Sequence, residues 1–472
     1  MTENNTGDGP SETPRREWIK MISIGIGTGL AGCSGNGGGD GDGGGDGGSD
    51  GGDGGSDGGD GGGSDGSDGG GGDGGDNDPT EITYYERAEF GQQYVDTFNG
   101  GQSEVEASFS FGGTGGEAPV YRKFIQGIRA GDAPAVVGTD MIVRNDFIEN
   151  GYLSELPDLA SEIDYRDDFY DSVDPLFIEY EGTAYSMPFW LACSNYFYNK
   201  KHFEDAGLDP ENPPKTWSEF RSAAETLSSD GSPAVSLNGI GGSSFLWLPW
   251  VWAGNGRFIN DDDECVIDEE PGVQALEFWK GLADDGLSTP PAQTGWSEMR
   301  NKFATGEASM IFDGGGVISV VQENDAVSLQ DVGNHPFPKP EGGAHAGMTG
   351  GNAIAISANV EDGSERMQAA KEFVKWVNSE EGMRVTLEAG NLPARKAGFE
   401  LDAANQEDTG HLLQGLSDVL AAENSRMLVH PASAEAKAEY LNPQLQECYS
   451  GNKSPQEALS TAAEGINDNI LN

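Results

Sequence analysis

Polar and apolar residues alternate through "EITYYER" at 81–87, which predicts a β-strand running into a loop. In "VYRKFIQGIRAGDAPAVVGTD" a helix is expected from Val120 to Ala130, then a Gly-Asp-Ala-Pro turn, then a short buried strand over Ala135–Val137. Strand, helix and strand in that order are the unit of a mostly parallel sheet with helices on its faces. Further helices are expected around 145–150 and over 166–178, 271–285, 295–305, 364–378, 379–389, 411–422, 431–447 and 454–467, with a hairpin at "YEGTAYSMPF". "PKTWSEFRSAAETLS" predicts a helix with a marked start, because Thr216 and Glu219 have the spacing of a capping box. The pattern is that of an α/β chain. After the N-terminus no apolar run reaches the 18 residues that a membrane-spanning helix needs.

The first 78 residues follow a different pattern. "TPRREWIKMISIGIGTGLAGCSG" sets Arg15 and Arg16 ahead of an apolar run, Met21–Leu30, that is too short to span a bilayer. Paired arginines before such a run predict export by the twin-arginine route. An ordinary helix is disfavoured there by Gly25, Gly27, Gly29 and Gly32. The segment Leu30-Ala31-Gly32-Cys33 resembles a lipobox, which implies that Cys33 becomes the lipidated first residue of the mature chain. The expected location is the outer face of the cell membrane, reached through a lipid anchor. From Gly35 to Asp78 there is no aliphatic or aromatic residue. A calcium-binding β-roll needs a large aliphatic residue in every repeat of nine, so this Gly/Asp/Ser stretch is expected to be a disordered tether. Forty-five residues of flexible coil span about 35–40 Å.

Charge narrows the partners. The 472 residues hold 80 acidic and 27 basic side chains, a net charge of −53, of which −40 falls on the 394 residues from Pro79 onward. Such a surface repels phosphate backbones and excludes a nucleic-acid partner. It suits molar salt, where a Debye length of about 3 Å removes the self-repulsion, and it matches the composition of a salt-in halophile of the archaeal type. A body of 394 residues exceeds one hydrophobic core, so two lobes are expected. With Cys33 assigned to the anchor, Cys193, Cys265 and Cys448 permit at most one disulfide. No CxxC spacing, clustered His or EF-hand pattern occurs, even in the acidic run 261–264, so neither a metal nor a cofactor is expected.

The middle of the chain is more specific. "YSMPFWLACSNYFYNKKHFEDAGLDPENPPKTWSEFRSAAETL" resembles the central signature of the family 1 extracellular solute-binding proteins, the maltose-binding-protein-like receptors of ABC importers. Three later blocks keep that family's order and spacing: "GVQALEFWKGLADDGLSTP" continuing to "MRNKFATGEASMIFDGGG", "FPKPEGGAHAGMTGGNAIAISA", and "AAKEFVKWVNSEEGMRVTLEAGNLPARKAGF". The resemblance covers nearly all of 80–472. It implies a periplasmic-binding-protein-like type II fold of two α/β lobes, 79–189 with 350–393 and 190–349 with 394–472, which close by hinge motion on a ligand in the cleft. The crossovers would lie near Pro188–Asn195, Gly347–Gly351 and Leu392–Arg395, and each carries Gly or Pro suited to a hinge. The implied partners are ABC permease and ATPase subunits, with the chain itself a monomer. No GxxxxGK[ST] motif supplies ATP chemistry here.

A sugar cleft needs aromatic faces for ring C–H groups and planar polar groups for hydroxyls. Trp190, Trp247, Trp250 and Trp296 are the aromatic candidates, each equally readable as core; Trp252 belongs to the same cluster, while Trp217, Trp279 and Trp376 read as core. The polar candidates are Glu86 and Arg87 after the first strand, Thr139 and Asp140 after the next, Asp313 before a run of glycines, Gly351 and Asn352 at the return strand, and Arg395. Arg395 suits either a hydroxyl pair or a salt bridge between lobes. Several Trp and no evident basic pocket favour a neutral mono- or oligosaccharide over glycerol phosphate or a polyamine. A surface glycosidase with paired carboxylates is the competing class, but so many acids make an accidental pair unremarkable. No Ser-His-Asp order or HExxH supports an enzyme.

Overall fold

A computed structural model describes residues 78–471, except 89, 113–116, 172, 174–176, 230–231, 429 and 431. The expected export signal (Arg15, Arg16), lipidation site (Cys33) and tether lie outside the described residues. Among the described residues no helix is long and apolar enough to cross a membrane.

Among the described residues there are twelve strands: β1 (Thr80–Glu86), β2 (Val105–Phe111), β3 (Val136–Asp140), β4 (Glu179–Tyr180), β5 (Thr183–Ala184), β6 (Ser186–Cys193), β7 (Asn195–Asn199), β8 (Val235–Ser236), β9 (Met310–Asp313), β10 (Val332–His335), β11 (Thr349–Ile356) and β12 (Leu392–Pro393). The longer helices are α1 (Gly91–Gly101), α2 (Glu117–Ala130), α3 (Met141–Glu149), α4 (Trp217–Leu227), α5 (Ser244–Ala253), α6 (Glu270–Asp284), α7 (Trp296–Ala304), α8 (Glu365–Trp376), α9 (Glu380–Glu388), α10 (Gly410–Leu420), α11 (Asn442–Tyr449) and α12 (Pro455–Ile466).

The first sheet has the order β12-β6-β11-β3-β1-β2, with β1 parallel to β2 and β3, and β11 antiparallel to β3 and β6. The carboxyl ends of β1, β2 and β3 therefore share an edge with the amino end of β11. The second sheet has the order β10-β7-β9-β8, and its β9 is parallel to β8 and antiparallel to β7. Only Ser194 separates β6 from β7, so the chain passes from one sheet to the other in a single step.

Local chemistry accounts for the helix starts. Thr216 and Ser454 form capping boxes with Glu219 and Glu457, and Ser364 and Ser379 accept from the backbone three residues on. Each satisfies an N–H that the first turn leaves without a partner. In α1, Tyr94, Val95 and Phe98 turn inward, and the Phe98 ring meets Phe373 of α8 at 5.0 Å, edge to face.

Three expectations about elements change. Within 166–178, Arg166–Asp168 forms a single helical turn and Phe169 after it is extended, so the expected helix does not run unbroken through the described residues. Segment 431–447 is helical from Ser433 on, but a π-helical turn Ala436–Leu441 lies between Ser433–Glu435 and α11. The tryptophan-rich "FLWLPWVWA", which supplies the cleft candidates Trp247 and Trp250, is helix α5 with Pro249 inside it; all but Phe245 of its residues are buried. A helix that is apolar on every side belongs inside a core.

Candidate functional site

At the edge of the first sheet, Glu86 closes β1 and is wholly buried. Its Oε1 accepts the backbone N–H of Arg87 at 2.8 Å and of Ala88 at 3.2 Å, and Asn352 Nδ2 donates to both carboxylate oxygens at 3.3 and 3.4 Å. Burial pushes the Glu86 carboxyl above its ordinary value, and the Arg87 charge and these donors oppose that rise. A Cβ on Gly138, in the neighbouring strand, would lie 1.6 Å from Glu86 Oε2, so only glycine leaves room for the carboxylate. Arg87 Nη2 pairs with Asp140 Oδ2 at 2.9 Å, and the Asp140 N–H donates to the Tyr121 hydroxyl at 2.8 Å. Thr139 is buried and donates to the Asp140 carbonyl.

The return strand completes this wall. Asn352 faces Asp140 across β11–β3 and Trp190 across β11–β6. Gly351, before it, has φ +149°, and a Cβ there would come 2.4 Å from the Trp190 carbonyl. That conformation and that approach both require glycine. Trp190 is half-buried and meets Phe90 edge to face at 6.1 Å. Its Nε1 and the Asn352 Oδ1 are buried without hydrogen-bond partners.

At the edge of the second sheet, Asp313 ends β9 opposite Asn195, the first residue of β7. The Asp313 carboxylate is wholly buried and accepts Arg300 Nε at 2.6 Å, Arg300 Nη2 at 2.8 Å and the Gly314 N–H at 2.8 Å. Burial raises its pKa; the two-pronged Arg300 contact and Gly314 pull it back. Arg300 also lies 5.3 Å over the ring of Trp296, whose Nε1 donates to the Gly241 carbonyl at 2.8 Å. Phe245 stands 6.0 Å from Trp296, and Phe245 and Ile240 are the exposed large hydrophobics among the described residues. Asn195 is wholly buried, and neither atom of its amide has a partner. Asn238, two residues beyond β8, is buried with its Oδ1 free.

The crossover brings the two edges to one place. A Cβ on Gly314 would lie 3.5 Å from the Cys193 carbonyl, so the end of β9 abuts the link from β6 to β7. Ala192 and Gly350, paired on that link, face open space.

The sequence candidates thus divide. Glu86, Arg87, Thr139, Asp140, Trp190, Gly351 and Asn352 gather on one edge, and Asp313 and Trp296 on the other. Trp250 is elsewhere: it has no exposed surface and packs among Trp217, Phe220, Phe278, Trp279, Phe312 and Phe337. Trp247, in the same helix, is also wholly buried. Both are core because every residue of α5 except Phe245 is buried. Arg395 pairs with Asp168 at 2.9 Å, donates to the Asn378 carbonyl, and lies 4.2 Å over Tyr165, so its guanidinium is held there and not with either strand-edge group. Sequence reasoning missed Arg300, Phe245 and Asn195. Arg300 had a signal, since the first turn of a helix entering at Trp296 places its fifth residue beside the end of β9.

Among the described residues no cluster could hold a metal ion, and Cys193, Cys265 and Cys448 are all free and buried.

Residues 83–384 match the family model of the bacterial extracellular solute-binding proteins. The sn-glycerol-3-phosphate-binding periplasmic protein UgpB of Rhizobium meliloti is 24% identical over 304 residues, covering 60% of this chain and 67% of its own length. Across the first such relatives the chain spans between half and two thirds of their length. Among solved structures, the sugar-binding protein MalE of Xanthomonas citri superposes with a TM-score of 0.71 at 17% identity, over 82% of this chain and 97% of that one. The cyclic alpha-maltosyl-1,6-maltose binding protein of Arthrobacter globiformis gives 0.69 at 22%, over 83% and 98%.

Proposed function

The chain belongs to the bacterial extracellular solute-binding protein family, and on that premise we propose that it is the substrate-binding component of an ABC importer for a neutral mono- or oligosaccharide. One observation carries the choice of ligand. Every guanidinium at the strand edges is already matched by a carboxylate: Arg87 by Asp140, Arg300 by Asp313. A phosphate ester would meet no uncompensated cation there and would face Glu86, Asp140 and Asp313. A polyol instead meets planar donors and acceptors, with the Trp296–Phe245 pair offering apolar ring faces.

The same reading takes 79–189 with 350–393 and 190–349 with 394–472 as lobes that close over the solute. Closure requires contacts that differ between open and closed states, and groups on both edges can supply them. Twin-arginine export at Arg15 and Arg16, lipidation at Cys33 and a tether over 34–78 place the receptor on the outer membrane face; the motif order supports this. The relatives named for glycerol 3-phosphate make that ester the second reading.

A thermal-shift screen in molar salt tests the choice. Stabilisation by one or a few sugars is expected, and stabilisation by a phosphate ester or polyamine with no sugar response overturns it. Cys33→Ala is expected to release the protein into the medium.

A further inference from the structure

A second, separate feature lies in the same half of the chain. Trp252, Arg257, Phe258, Arg426 and His430 line a recess of about 150 Å3, and none of them belongs to the strand-edge site. Basic side chains are scarce in this protein, 27 against 80 acids. Two of them, Arg257 and Arg426, nonetheless converge here, together with His430. Arg257 is paired with Asp261, and His430 lies 3.3 Å from Asp263; both of those acids are largely exposed. Arg426 is different. It is half-buried, and its guanidinium makes no ion pair and no hydrogen bond among the described residues.

That arrangement is unfavourable as it stands. Burial and the neighbouring Arg257 both disfavour the charge on Arg426, and only Asp261 opposes them. A guanidinium that shares this recess with another guanidinium, with Trp252 and Phe258 in the same lining and only the exposed Asp261 to oppose the burial, is short of the counter-charge that three acids per base would readily provide elsewhere. An oxyanion supplies it: it accepts two parallel N–H bonds from Arg426 and neutralises the repulsion at once. The backbone on either side is firmly held, because the Arg426 N–H donates to the Gly347 carbonyl and its carbonyl accepts from Thr349. The anchor therefore stands on the segment paired with the chain as it returns to β11.

We propose that this recess binds a small oxyanion, with Arg426 as its anchor and Arg257 and His430 on its flanks. Titration calorimetry on the full chain, at constant high ionic strength with chloride as the balancing anion, tests it with sulfate, inorganic phosphate and acetate in turn. Saturable binding of at least one is expected, and the tightest of the three tells a tetrahedral oxyanion from a carboxylate. Arg426→Gln should weaken it at least tenfold, Arg426→Lys should restore part of it, and the solute affinity should not move. If Arg426→Gln does not fold, Arg257→Gln gives the same reading. Absence of saturable binding by all three probes overturns the proposal, as does undiminished binding in Arg426→Gln. Loss of solute binding together with anion binding also overturns it, since the recess would then be part of the solute site. Failure of the sugar screen alone leaves this experiment intact.

Discussion

Replacing Arg300 by Met separates the two halves of the contact on which the second strand edge depends. Asp313 is wholly buried, while the Arg300 side chain keeps 28% of its surface exposed. Removing one partner of a buried pair costs about 3–5 kcal/mol, because the other charge is left without compensation. Here the Gly314 N–H remains, and water can enter through the space that the exposed guanidinium leaves, so the low end applies: about 2–3 kcal/mol. At roughly 2 °C per kcal/mol for a chain of this size, thermal unfolding should fall by about 4–6 °C.

The deficit should also depend on pH. Burial already raises the Asp313 carboxyl above its ordinary value, and removing Arg300 takes away its largest opposing influence. A carboxyl whose folded pKa lies above its unfolded one binds its proton more tightly when folded. Stability then rises as pH falls toward that folded value. The Arg300→Met deficit should therefore be largest near pH 8 and shrink toward pH 5. Adding Asp313→Asn should recover most of it at every pH. Circular-dichroism melts of both variants in molar potassium chloride decide the matter. A deficit below about 0.5 kcal/mol, or one independent of pH, refutes the reasoning.

Other consequences are open to the same instruments. Glu86→Gln removes a carboxyl whose pKa burial raises, so wild type should gain stability relative to the variant as pH is lowered from 7 to 5; parallel melting curves across that range would contradict this. Trp296→Ala should weaken sugar binding by about 2 kcal/mol, near thirty-fold, with the melt almost unmoved, whereas Trp250→Ala should cost about 3–5 kcal/mol of stability. Titration and melting of the two variants would show the reverse if Trp250 faced the solute. Cys265 and Cys448 are pushed up to about 11 by burial, and Cys193 is raised as well, so all three thiols should resist a water-soluble disulfide reagent at pH 8 until the chain unfolds. Rapid labelling of the native protein would contradict their burial.

The legible parts of this fold are those fixed by neighbours in sequence. The capping box at Thr216 and Glu219 needs only four residues, and the strand–helix–strand pattern from Tyr84 to Val137 needs only local periodicity. The glycine at 351 is one whose need shows only in the structure, through its φ of +149° and its approach to the Trp190 carbonyl. Other features depend on distant partners. Nothing near Trp250 in sequence shows that Phe312 and Phe337 close over it, and a tryptophan-rich run looks alike in a cleft and in a core. The first turn of the helix expected over 166–178 ends at Phe169, beside Asp168, whose partner Arg395 lies 227 residues later. Arg300 became a candidate only once the two-pronged contact to Asp313 was visible.

The close fit of Glu86 over Gly138 bears on the order in which this strand edge can change. Any side chain at 138 would drive the carboxylate off its backbone donors, so that position stays closed while Glu86 is present. Shortening residue 86 first, to Ser or Ala, opens it. Change at this pair is therefore easier in the order 86 before 138, since the reverse order must first displace a buried carboxylate.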